Sequence, residues 1–100
     1  MNDGSKAALK YITGYLIELG DAWLAPLGCA LATPRDGGRR GGHVTYRHPR
    51  AERLVELLAD ANIITDYRTP DRLRFGLSPL TTRFTDVWTA VTVTRDITET

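Results

Sequence analysis

Apolar residues recur at helical steps near the start of the chain. Leu9, Ile12, Leu16, Leu19 and Trp23 lie three or four positions apart, with Tyr11 and Tyr15 flanking them. This stripe predicts an amphipathic helix from residue 6 to about residue 24. Ser5 suits its N-cap, and Pro26 with Gly28 marks its end. Gly14 interrupts the stripe at a cost of about 1 kcal/mol relative to Ala, so tertiary packing must favour this helix. Cys29 to Thr33 is a short apolar run that reads as a strand, and Val44 to Arg47 alternates like a second one. Between them, Pro34 to Gly42 is rich in turn residues. The period then switches: Pro49 fits a first helical position, and Leu54, Val55, Leu57, Leu58 and Ala61 share an apolar face. Asn62 suits a left-handed C-terminal cap. Ile63 to Tyr67 and Leu73 to Leu77 read as strands joined by a turn at Arg68-Thr69-Pro70-Asp71. Pro79 breaks the chain, Thr82 can cap, and Phe84, Val87, Trp88 and Val91 open a last helix. Past Thr92 the residues are β-branched and poorly patterned, which predicts fraying.

The predicted order is a leading helix followed by β-β-α-β-β-α. An α+β fold with helices packed on a small, mainly antiparallel sheet accommodates it. At 100 residues the chain has the size of one domain. The expected division is a disordered N-terminus at 1–4, the domain at 5–95 and a frayed tail at 96–100. Apolar residues make up 42% of the chain and charged residues 25%, which is globular usage and excludes a disordered tail. The net charge of +1 gives no general pull toward nucleic acid or an acidic membrane. A single cysteine, Cys29, excludes an internal disulfide and a thiolate metal cluster and fits a cytoplasmic setting. No apolar run approaches membrane-spanning length.

Little of the chain has the pattern of chemistry. His43 and His48 stand five residues apart without a neighbouring carboxylate, a weak metal pair; one is expected to pack or cap and the other to be solvated. Asp66 and Asp71 suit turn and cap roles as well as a carboxylate pair. The glycines between Arg35 and Gly42 invite a phosphate, but the loop lacks the order of a phosphate-binding loop and opens no helix, so a hairpin connection explains it better. Its basic residues lack the interleaved aromatics of a nucleic-acid site beyond Tyr46. The sharper feature is Arg74, between Leu73 and Phe75 on a strand expected to be central. A guanidinium there, followed by Gly76 and a Pro-bounded turn, suits a carboxylate at a cleft edge, which it can meet with two parallel hydrogen bonds. The competing reading is an exposed-face arginine paired to Asp66 or Asp71.

Several segments together resemble a known family. Arg40-Gly41-Gly42-His43-Val44, His48-Pro49, Ile64-Thr65-Asp66-Tyr67-Arg68-Thr69-Pro70, Leu73-Arg74-Phe75-Gly76, Pro79-Leu80 and Phe84-Thr85-Asp86-Val87-Trp88 occur in the order seen in the C-terminal domain of kynureninases. Ser5-Lys6-Ala7-Ala8-Leu9 and Thr33-Pro34-Arg35 extend the resemblance, which covers Ser5 to Arg95. It implies a fold-type I pyridoxal-phosphate enzyme that hydrolyses L-kynurenine to anthranilate and L-alanine in tryptophan catabolism. In that family a large domain binds the cofactor, and the arginine of the Leu-Arg-Phe-Gly strand, here Arg74, binds the substrate α-carboxylate. Many members carry Tyr after Pro-Leu where this chain has Thr81. The resemblance places the Schiff-base lysine in the large domain, so neither Lys6 nor Lys10 corresponds to it. The expectation is a chain inactive alone, partnered by a pyridoxal-phosphate domain in cis or trans within a homodimer, with no catalytic, cofactor-binding or metal residue of its own. A non-catalytic association module that keeps this fold is the alternative.

Overall fold

Residues 3–35, 41–78 and 81–99 are described by the computed structural model. The leading stripe forms α1 (Asp3–Trp23), followed by a single 3-10 turn at Ala25–Leu27. Then come β1 (Ala30–Leu31), β2 (His43–Arg47), α2 (Ala51–Asp60), β3 (Asp66–Arg68), β4 (Arg72–Gly76) and α3 (Phe84–Glu99). The strands form one antiparallel sheet in the order β1-β2-β4-β3, so β4 is central as expected. The α+β class and the element order match the sequence reading.

Alternation puts Val44, Tyr46, Leu73 and Phe75 on one face of the sheet, where all are buried. α1 and α2 pack on that face, and α3 packs across both helices. Leu16, Leu24, Leu54, Leu58 and Val91 complete the core. No helix contacts are needed to explain the other face, whose residues are His43, Thr45 and Arg47 on β2 and Arg72, Arg74 and Gly76 on β4. It is polar and open among the described residues.

Several boundaries differ from the sequence reading. α1 begins at Asp3, ahead of Ser5, while Met1 and Asn2 lie outside the described residues. α2 begins at Ala51, because Pro49 and Arg50 make the entering turn, with Ala51 N–H donating to the His48 carbonyl at 3.0 Å. Its end is closed by Asn62 at φ 66°, with Asn62 N–H on Ala59 O at 3.0 Å and Ile63 N–H on Leu58 O at 2.8 Å. That closure is the Schellman arrangement. It uses Ile63, so β3 starts only at Asp66. α3 continues to Glu99. The hairpin expected between the first two strands forms, while residues 36–40 of its glycine-rich loop lie outside the described residues, as do Pro79, Leu80 and Thr100. Gly42 admits no side chain, since a Cβ there would stand 2.9 Å from the Leu77 carbonyl oxygen.

Candidate substrate-carboxylate site

Arg74 sits in the middle row of the open sheet face. Thr45 lies opposite it on β2 and Asp66 opposite it on β3. In an antiparallel pair, directly opposed residues share a face, so these three side chains project together. Arg74 Nη2 donates to Asp66 Oδ2 at 2.8 Å. The arginine side chain is 24% exposed and the aspartate 58%. Arg74 Nε is buried and has no hydrogen-bond partner among the described residues. A buried donor left unmade costs about 1–3 kcal/mol. The guanidinium is thus held at one corner and unsatisfied at another.

The surrounding charge is positive. Arg68 and Arg72 face each other one row away, and Arg47 opposes Arg72 on the other side. His43 opposes Gly76, where a Cβ on the glycine would meet the imidazole Cδ2 at 3.6 Å and Nε2 at 3.8 Å. The ring therefore lies over Gly76 beside Arg74 and Asp66. The Arg74 hydrogen bond holds the Asp66 carboxyl below the usual aspartate range, and the charges of Arg74, Arg68 and His43 add to that effect. The structure thus brings Arg74 together with Asp66, as the exposed-face reading anticipated, and adds His43, which the sequence reading left without a role.

The remaining candidates take structural places. His48 is buried, and its Nδ1 accepts the Arg50 N–H at 3.0 Å, so it braces the turn into α2. Asp71 Oδ2 lies 3.6 Å from Arg47 Nε, apart from the Asp66 pair. Thr82 Oγ1 accepts the Ser78 N–H at 2.8 Å. At the start of α3 it is Asp86 that closes back, its Oδ2 accepting the Arg83 N–H at 2.8 Å. Thr81 borders a groove of about 390 Å³ with Thr65, Leu77, Val87 and Ala90. No group of three metal-ligating side chains occurs among the described residues. No helix there is long and apolar enough to cross a membrane.

The comparisons with known proteins agree with this picture. Residues 6–94 match the family described as Kynureninase C-terminal domain. The chain is 41% identical over 86 residues to the kynureninase of Pseudomonas fluorescens, covering 86% of this chain and 21% of that protein. Against the kynureninase of Burkholderia mallei (strain SAVP1) it is 39% identical over 89 residues, covering 89% of this chain and 21% of the relative. The chain therefore spans about a fifth of the length of these curated relatives. In fold it resembles the crystal structure of 8-amino-7-oxononanoate synthase from Francisella tularensis, with a TM-score of 0.74 at 23% identity over 99% of this chain and 28% of that one. A family match across nearly all of its residues, on an α+β fold with Arg74 displayed on the open sheet face, shows that this chain belongs to the kynureninase C-terminal domain family.

Proposed function

We propose that this chain serves as the C-terminal domain of a kynureninase and supplies Arg74 to hold the substrate's α-carboxylate during pyridoxal-phosphate-dependent hydrolysis of L-kynurenine to anthranilate and L-alanine. The observation that carries this reading is a partly buried guanidinium on the central strand of an open sheet face, with a donor still unmade. Two parallel hydrogen bonds from such a group fix both the position and the plane of a carboxylate. Fixing the carboxylate in turn fixes the direction of the neighbouring Cα–H bond, which is the contribution this chain makes to reactivity.

The cofactor itself does not fit the residues of this chain. Both lysines, Lys6 and Lys10, belong to α1, a helix that packs against β2 and α3. Pyridoxal phosphate, which supplies the electron sink when bound, would be held by a larger partner domain, in cis or in trans. The isolated chain is accordingly expected to release no anthranilate. The working enzyme is expected to be a cytoplasmic homodimer.

Exposure of Tyr11, Phe84 and Trp88 on α1 and α3 favours a second reading, a non-catalytic association module that self-associates through these helices. Joining this chain to the large domain of the Pseudomonas fluorescens relative, in place of that protein's own C-terminal domain, separates the two. The kynureninase reading expects anthranilate formation from the chimera. An inactive, folded chimera, together with a chain that dimerises on its own and dissociates on dilution, would favour the association module.

A further inference from the structure

A carboxylate clamp whose guanidinium already holds a carboxylate raises the question of what Asp66 is for. We propose that Asp66 is an internal competitor for the substrate carboxylate, holding Arg74 until an incoming carboxylate displaces it and so setting the affinity of the site. This rests on the carboxylate-binding reading of Arg74 given above.

Three observations carry it. Asp66 reaches Arg74 through the hydrogen bond from Nη2 to Oδ2 at 2.8 Å, while Nε stays buried without an acceptor among the described residues. The pairing with Asp66 thus leaves the guanidinium short of its full set of bonds, and a carboxylate that engages two donors improves on it. Asp66 also stands on β3, the edge strand, with its side chain 58% exposed, so its withdrawal disturbs no core packing. Ion pairs this exposed are held weakly. Finally, the charged groups facing Asp66 come from its own strand and two others: Arg68 on β3, Arg74 on β4 and His43 on β2. After exchange, Arg68 and His43 still attend the released carboxylate, which lowers the cost of giving Arg74 up.

A permanently retained Asp66, acting only to aim the guanidinium, makes the opposite prediction, so the sign of one change decides. The full 100-residue chain, labelled with nitrogen-15, would be titrated with sodium acetate against sodium chloride at equal ionic strength. The Arg74 Nε–H resonance, assigned by its loss in Arg74→Lys, reports occupancy directly. Asp66→Asn keeps the shape of the side chain and removes its charge; Asp66→Ser serves as a second variant should the first fold poorly. The expected result is acetate binding several-fold tighter in the neutral variant than in the parent chain. Equal or weaker binding in the variant, with clear binding in the parent, overturns the exchange role while leaving the carboxylate role of Arg74 standing. No acetate-dependent shift of the Arg74 signal in either protein overturns both.

Discussion

Arg74 and Tyr46 lie on opposite faces of the same sheet, and each keeps a buried polar atom without a partner among the described residues. Arg74 was legible in the sequence because an arginine between Leu73 and Phe75 breaks a strand's apolar run at a position that alternation sends outward. Its partner was half legible: Asp66 and Arg74 are equidistant from the turn between β3 and β4, so a hairpin register pairs them. His43 was not, because its approach to Gly76 depends on β2 pairing, besides its sequence neighbour β1, with a strand about thirty residues further along the chain. On the inner face, Tyr46 is 1% exposed, and its hydroxyl has no hydrogen-bond partner among the described residues. A Cβ on Gly20 would overlap the Tyr46 Oη and lie 2.7 Å from Cζ, so this helical glycine makes room for a ring. Nothing in the periodicity of α1 announces that requirement. Gly20→Ala is expected to destabilise the fold by about 1–3 kcal/mol through overpacking. Tyr46→Phe, which removes a buried orphan hydroxyl, is expected to be neutral or slightly stabilising. Combined, the two should recover part of the loss, because Phe lacks the atom that a Gly20→Ala methyl meets most closely. Urea unfolding midpoints of the three variants check this, and an Ala variant as stable as the parent would contradict the contact.

At the scale of elements, α3 shows where hydropathy misleads. Val87, Val91, Thr94 and Thr98 form one buried stripe at helical spacing, but the last two count as polar in a sequence reading. Their hydroxyls are satisfied inside the helix itself: Thr94 Oγ1 donates to Ala90 O at 2.7 Å and Thr98 Oγ1 to Thr94 O at 2.6 Å. Once bonded in this way, a buried threonine presents mainly its methyl group to the core. The last turn is also tied down from outside, since Arg50 Nη2 donates to the Thr98 carbonyl at 3.0 Å. A chain ending after Arg95 is therefore expected to lose about 1–3 kcal/mol of stability and some helical circular dichroism. An unchanged unfolding midpoint would show the last turn to be dispensable. β3 illustrates the reverse error: apolar Ile63 and Ile64 read as strand, yet one closes α2 and the other is exposed. Helix closure through Asn62 overrides β-propensity there.

Taken whole, the molecule has a two-sided character that follows from one sheet with helices on a single face. Its stability should fall at both ends of the pH scale, for different reasons. Hydrogen bonds from Arg35, Arg74 and Arg83 hold the carboxyls of Asp21, Asp66 and Asp86 below the usual range. Because these groups are lowered in the folded chain, their contribution is present above the unfolded aspartate value of about 3.9 and disappears as pH falls through the folded values. Burial pushes the Tyr46 phenol upward. That contribution is intact up to the unfolded tyrosine value of about 10 and lost above it, as the unfolded chain sheds its proton first. Ionisation of Tyr46, read from tyrosinate absorbance, should therefore coincide with loss of helical circular dichroism; ionisation within a folded chain would contradict its burial.

The open sheet face gives the domain its meaning, because it leaves Arg74 reachable from the side that carries no helices. The fold and the position of Arg74 were legible from periodicity and from ordered family segments. The most direct measurement compares the Pseudomonas fluorescens chimera with and without Arg74→Lys, following anthranilate formation over a range of L-kynurenine concentrations. Losing the paired guanidinium geometry is predicted to lower kcat/KM by roughly ten- to a hundred-fold, with the folded content of the chimera unchanged. Unaltered turnover and KM in the Arg74→Lys chimera would contradict the assignment of Arg74 to the substrate carboxylate.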